Sequence, residues 1–133
     1  WCSERARQMR RVMLEYRDGA RVFAGTHVAN TELARTVELT LRTLQDAGFD
    51  LRDALAGLPV LFHYTVGFTL EEQARLAEDH PYRPEKLAER VDPQRFPLTA
   101  MTLPQRFDTN TDAAFEEGLR VIMAGLRAAY LNH

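Results

Sequence analysis

Four side chains in this sequence have the chemistry for proton transfer or metal ligation near apolar surroundings: His27, His63, Glu71 and Glu72. Histidine exchanges protons near neutral pH, and a carboxylate beside it can orient it or take the second role in acid–base catalysis. Spacing limits what they can do together. His63 and Glu71 are eight residues apart, about 80° around one helix, so they cannot share an ion within a single chain without help from elsewhere. His63 sits in a run without formal charge from Ala54 to Leu70 and reads first as a satisfied core histidine, whereas His27 follows "AGT" in a loop, a place suited to recognition or to plain solvation. Glu71 and Glu72 close the run; one of them is expected to turn inward as a hydrogen-bond acceptor and the other to meet water. Met9, Met13, Phe23, Phe62, Phe68 and Met101 are adaptable apolar groups that could line a pocket or fill an ordinary core.

Other chemistries lack their residues. There is no glycine-rich phosphate loop, no nucleophile elbow and a single thiol, Cys2, so a disulfide framework and a multi-thiolate zinc site are excluded. No cofactor and no metal are expected. A formal net charge of −2 gives no electrostatic footprint for nucleic acid or an anionic membrane. The arginines at the start (Arg5, Arg7, Arg10, Arg11, Arg17, Arg21) are set against Glu4, Glu15 and Asp18 and read as a solvated helix face or a contact with an upstream domain. The uncharged run is marginal in length for a bilayer and contains Pro59, His63, Tyr64, Thr65 and Thr69, so it reads as core. No secretory leader is visible, and a reducing cytoplasm is the default. The chain opens without Met and inside an apparent helix, which suggests an upstream segment.

The elements that must position these groups are helical. Ala6, Met9, Val12, Met13 and Tyr16 have a helical period, and Gly19 in "RDG" is expected to take the left-handed position that ends this helix. "ARVFAGTHVAN" predicts a short helix or turn. Thr31 is expected to cap the next helix, with Leu33, Val37, Leu41 and Leu44 as its stripe and Gly48 as its stop. Asp50 then caps a helix over Leu51 to about Ala77, apolar around most of its girth and therefore central, with a kink expected at Pro59. A proline-rich stretch follows, with short helices at Pro84–Arg90 and Pro97–Leu103. Asp112 to Tyr130 is a helix with two faces: Phe115, Leu119, Ile122 and Leu126 on one, and Ala114, Gly118, Val121 and Gly125 on the other. A helix-interior glycine costs roughly 1 kcal/mol relative to alanine, so Gly118 and Gly125, like Gly57 and Gly67, suggest close approach of another helix, within a bundle or across a dimer.

Four blocks in order, "YRDGARVFAGT", "TVELTLRTLQDAGFDLRDAL", "HYTVGFTLEEQ" and "AFEEGLRVIMAGL", resemble the C-terminal ligand-binding and dimerisation domain of the tetracycline-repressor (TetR) family. The resemblance covers nearly the whole chain, least well between His80 and Asp108. It implies an all-α bundle over residues 1–133 whose long central and C-terminal helices form a dimeric four-helix interface, involving Gly57, Gly67, Phe115, Gly118, Val121, Ile122 and Gly125. It also implies a cytoplasmic bacterial transcriptional regulator, read as a repressor, that binds a small-molecule effector and contacts operator DNA only through a separate N-terminal helix-turn-helix domain. The effector pocket it implies comprises Arg5, Met9, Phe23, Thr26, His27, Val37, Thr40, Leu55, Leu58 and Phe62, with Glu71 reaching over from the partner subunit and Leu98 and Met101 from the variable region. Phe23 stands where the tetracycline repressor carries a histidine for drug-chelated magnesium, Arg5 and Thr40 replace amides, and Phe62 replaces a small hydroxyl residue. The changed lining suits a largely apolar or aromatic effector. A small helical enzyme using His63 or His27 with Glu71, and a purely structural dimerisation module, remain the alternatives.

Overall fold

Asp50 sets the centre of the fold by capping its longest helix: its carboxylate accepts from the backbone N–H groups of Arg52 (2.6 Å) and Asp53 (3.4 Å). The computed structural model describes residues 1–25, 30–76, 84–106 and 110–130. These form α1 (Cys2–Leu14), α2 (Gly19–Gly25), α3 (Thr31–Asp46), α4 (Leu51–Leu76), α5 (Pro84–Arg90), α6 (Pro97–Arg106) and α7 (Thr111–Tyr130), with no strand among the described residues. The all-α expectation holds. α4 runs without interruption through Pro59 and packs against α1, α2, α3 and α7, as its near-continuous apolar girth requires. α5 packs on α6.

Two helix boundaries differ from expectation. Asn30, not Thr31, caps α3: it has extended backbone (φ −136°, ψ 170°) and its side chain accepts from Leu33 N at 2.9 Å, while Thr31 is already helical. Gly19 does not end α1 in the left-handed region but begins α2. Its lack of a side chain is still required, because a Cβ there would lie 2.9 Å from the Met13 carbonyl carbon. Gly48, at φ +94°, is the one positive-φ residue among those described and stops α3 where the sequence placed it.

One cluster of the core joins α1, α4 and α7 through Ala6, Leu61, Phe115 and Leu119; a second joins α1, α2 and α4 through Met13, Ala20 and Val66. Thr65 and Thr69 are fully buried inside α4, where their hydroxyls donate to the carbonyls of Leu61 and Thr65 at 2.8 and 2.7 Å, so neither leaves an unmet polar group. Arg10 departs from the expected solvated face of α1. Its guanidinium is buried, donating to both Glu72 oxygens (2.8 and 2.6 Å), pairing with Asp112 at 2.7 Å and lying 4.9 Å over the Phe115 ring. Glu72 is thus the inward carboxylate of its pair, 7% exposed, and Glu71 the outward one. Hydrogen bonding to Glu72 raises the Arg10 pKa against the opposing effect of burial.

The interior glycines divide. Gly118 faces Tyr64 of the same chain: a Cβ would lie 2.7 Å from Tyr64 Cζ, whose hydroxyl donates to Phe115 O at 2.8 Å and whose ring stacks on Phe115 (5.5 Å, 18°). Gly57 likewise lets α4 meet Leu126 and Tyr130 of α7. Phe115, expected at a subunit contact, is 1% exposed within one chain and belongs to its core, with Ile122 packed against the same cluster. Gly67 and Gly125 have open space before them, and Val121 is 55% exposed.

Candidate effector cleft

The cleft is built from the N-terminal half of the fold. α1 contributes Arg5, Gln8, Met9 and Val12, α2 contributes Phe23, α3 contributes Leu33, Thr36 and Thr40, and α4 contributes Leu58, Leu61, Phe62 and Thr65. Together with Trp1 and neighbouring α1 residues they surround about 520 Å³, within the range of sites for drug-sized molecules. The floor is apolar. Phe23 and Phe62 approach across it from α2 and α4, with ring centroids 5.8 Å apart and planes at 39°.

Gln73 holds α2 in place to present Phe23. Its Nε2 donates to the carbonyls of Met13 (3.0 Å) and Tyr16 (2.8 Å), and its Oε1 accepts from Ala20 N (3.0 Å), so one amide ties the α1–α2 corner to α4. On α3, the Thr36 and Thr40 hydroxyls donate back to Glu32 O (2.9 Å) and Thr36 O (2.8 Å), which leaves them as acceptors toward the cleft. Arg5 donates to Gln8 Oε1 at 2.9 Å and lies 5.8 Å from the Trp1 ring. Cys2 borders the cleft too, and burial raises its thiol pKa, which keeps it protonated.

Arg5, Met9, Phe23, Thr40, Leu58 and Phe62, six of the residues the resemblance implies, line this one cleft. Thr26 and His27 lie outside the described residues. Val37 and Leu55 are exposed and are not among the residues that line the cleft, although each stands three residues before one that does, Thr40 and Leu58. Leu98 (73% exposed) and Met101 (67%), on α6, are not among the lining residues either. Glu71 borders a separate hollow of about 210 Å³ with Tyr64, Phe68 and Arg75. His63 is exposed on α4 and not the core histidine the uncharged run suggested; it makes an edge contact with Phe62 at 5.5 Å and no hydrogen bond or ion pair with Glu71, so the acid–base pair of the enzyme alternative is not assembled from these two residues in one chain. The lining residues not foreseen were Trp1, Cys2, Ala6, Gln8, Val12, Leu33, Thr36, Leu61 and Thr65. Helical spacing from Arg5, Thr40 and Leu58 points to most of them.

The described residues of this lining do not suit a hard divalent ion. Hard cations take several oxygen ligands, usually with a carboxylate. The described lining residues offer threonine hydroxyls, one amide, the Cys2 thiol, kept protonated by burial, and the Arg5 cation, with a phenyl ring at Phe23 and no carboxylate. Among the described residues, no three of His, Cys, Asp and Glu are grouped to hold a metal ion.

The family model described as "Tetracyclin repressor-like, C-terminal domain" matches residues 2–130. The chain belongs to the tetracycline-repressor-like family. It is 37% identical over 131 residues to the tetracycline repressor protein class C of Escherichia coli, covering 92% of this chain and 55% of that protein. Among solved structures, a possible TetR family transcriptional regulator from Streptomyces coelicolor A3(2) superposes with a TM-score of 0.83 at 42% identity, over 96% of this chain and 65% of that one. The S. coelicolor TetR family protein ActR, solved in complex with actinorhodin, gives a TM-score of 0.77 at 25% identity, over 94% and 61%. The chain thus spans a little over half the length of the repressor it matches. In this TetR-family domain, no helix among the described residues is long and apolar enough to cross a membrane.

Proposed function

We propose that this chain is the effector-binding and dimerising domain of a TetR-family transcriptional regulator, acting in the bacterial cytoplasm as a repressor. The observation that carries the reading is the apolar cleft of about 520 Å³ framed by α1 to α4 in a chain of this family. A neighbour in structure, ActR, holds actinorhodin, which supports a small-molecule effector here. The Phe23–Phe62 pair and the unsuitability for a divalent ion favour a largely apolar or aromatic molecule bound without metal. Operator DNA is bound by a helix-turn-helix domain outside these 133 residues. The function is binding, with no catalytic step.

Dimerisation uses the outer faces of α4 and α7, where Val60 and Val121 are exposed and Gly67 and Gly125 leave room for a partner helix. Effector occupancy regulates by favouring the dimer arrangement that releases DNA; equal affinity for both arrangements would change nothing. The test is thermal unfolding of the protein against a panel of aromatic and polyketide-like compounds, with magnesium–tetracycline included. A stabilising compound is expected to lose its effect in Phe23→Asp and in Thr40→Trp while sedimentation still shows a dimer. Undiminished stabilisation in both variants refutes the site; a monomer in every variant and in the unaltered protein refutes the dimer.

A further inference from the structure

α1 carries four arginines, and three of them are ion-paired: Arg7 with Glu116 and Glu4, Arg10 with Glu72 and Asp112, and Arg11 with Glu4. Arg5 differs. Among the described residues no carboxylate pairs with its guanidinium, which is exposed at the cleft, donates to the neutral Gln8 and lies near the Trp1 ring. Two carboxylates of the facing helix pair elsewhere, Glu32 with Arg35 and Glu38 with Arg42, and the third, Asp46, is the last residue of α3, beyond its lining residues Leu33, Thr36 and Thr40. Arg5 is also the one formally charged side chain among the described residues that line the cleft. A guanidinium has five donors in a planar fork, so the bond to Gln8 leaves most of them available for an oxygen anion.

Resting on the effector-cleft reading, we propose that this site selects planar, largely apolar small molecules that carry an ionised oxygen group, a carboxylate or an acidic phenol. Arg5 takes the charge at the mouth, and the rings lie against Phe23 and Phe62. The threonine hydroxyls cannot supply this selectivity, since Thr36 and Thr40 already donate to their own helix and present only acceptor lone pairs. An ammonium group is disfavoured by the same cation.

The experiment compares two probes of one shape, anthraquinone-2-carboxylate and anthraquinone-2-carboxamide, by isothermal titration calorimetry on the unaltered protein, Arg5→Gln, Arg5→Lys and Thr40→Trp. The carboxylate is expected to bind about tenfold more tightly than the amide, a charge-assisted bond at a solvent-exposed mouth. Raising the salt concentration should narrow that preference. Arg5→Gln should bring the ratio to within about twofold of one, Arg5→Lys should keep part of it, and Thr40→Trp, which fills the cleft, should abolish binding of both. Equal affinities in the unaltered protein, lost together in Thr40→Trp, overturn the anion inference and leave the cleft intact. A tenfold preference unchanged in Arg5→Gln overturns it as well, because the charge is then held elsewhere. Failure of both probes to bind the unaltered protein removes the inference together with the cleft reading beneath it.

Discussion

Gly118→Ala sets two physical effects of opposite sign against each other. In an isolated helix the change favours folding by about 1 kcal/mol, because alanine restricts the unfolded chain. Here the new methyl would lie 2.7 Å from Tyr64 Cζ and 2.9 Å from Cε2, so the ring must move or α4 and α7 must part. Overpacking of this kind costs about 1–3 kcal/mol. A displaced ring also loses its 2.8 Å hydrogen bond to Phe115 O, worth about 1 kcal/mol. The sum is a net destabilisation of about 1–3 kcal/mol. Urea unfolding followed by far-ultraviolet circular dichroism measures it, at two protein concentrations so that association is separated from folding. Tyr64→Leu removes the three atoms nearest the new methyl, the hydroxyl oxygen and two ring carbons, and in that background Gly118→Ala should stabilise by roughly 1 kcal/mol. Stabilisation by Gly118→Ala in the unaltered chain, or the same destabilisation with Leu at position 64, would refute the intrachain explanation.

Arg10→Met should cost about 3 kcal/mol by stranding the buried Glu72 carboxylate, and adding Glu72→Leu should recover most of that loss in the same urea assay. Asp112, 85% exposed, adds little to either figure. The Arg7 guanidinium lowers the Glu116 pKa from its ordinary 4.5, so this pair's contribution is complete above about pH 4.5 and disappears as pH falls through the lower folded-state value. The stability advantage over Glu116→Gln, small at neutral pH because the pair is solvent-exposed, should therefore vanish in the acid limb; an advantage that grows there contradicts the ion pair.

The long helices were legible in the sequence because their signals are local: apolar period, Asp50 before Leu51, Gly48 after the third helix. Asn30 and Thr31 are both competent caps, and neighbouring backbone angles decided between them. Gly19 read as a stop from its place after "RD", but close approach to the Met13 carbonyl, a contact between two helices, dictates it. Arg10 was hidden for a similar reason. Its sequence neighbours include three other arginines in α1, and only the tertiary positions of Glu72 and Phe115 distinguish it from them. The cleft was legible in part: the resemblance implied Arg5, Met9 and Phe62, which line it, whereas Val37 and Leu55, at helical spacing from lining residues, stay exposed outside it, because spacing gives a face and not how far along the helix the cleft extends. Gly118 shows the limit of glycine spacing, which reports close approach without naming the element that approaches.

The Gln73 side chain is chemically a peptide group displaced from the backbone. It accepts from Ala20 N and donates to Met13 O and Tyr16 O, bonds that a passing strand might otherwise supply. α2, only seven residues long, is therefore finished at its first turn by material from α4 rather than by its own sequence. Glutamate could accept there but not donate, and lysine could donate but not accept. The corner thus requires an amide, and the short helix that carries Phe23 is stitched to the long one through a single side chain of pseudo-backbone.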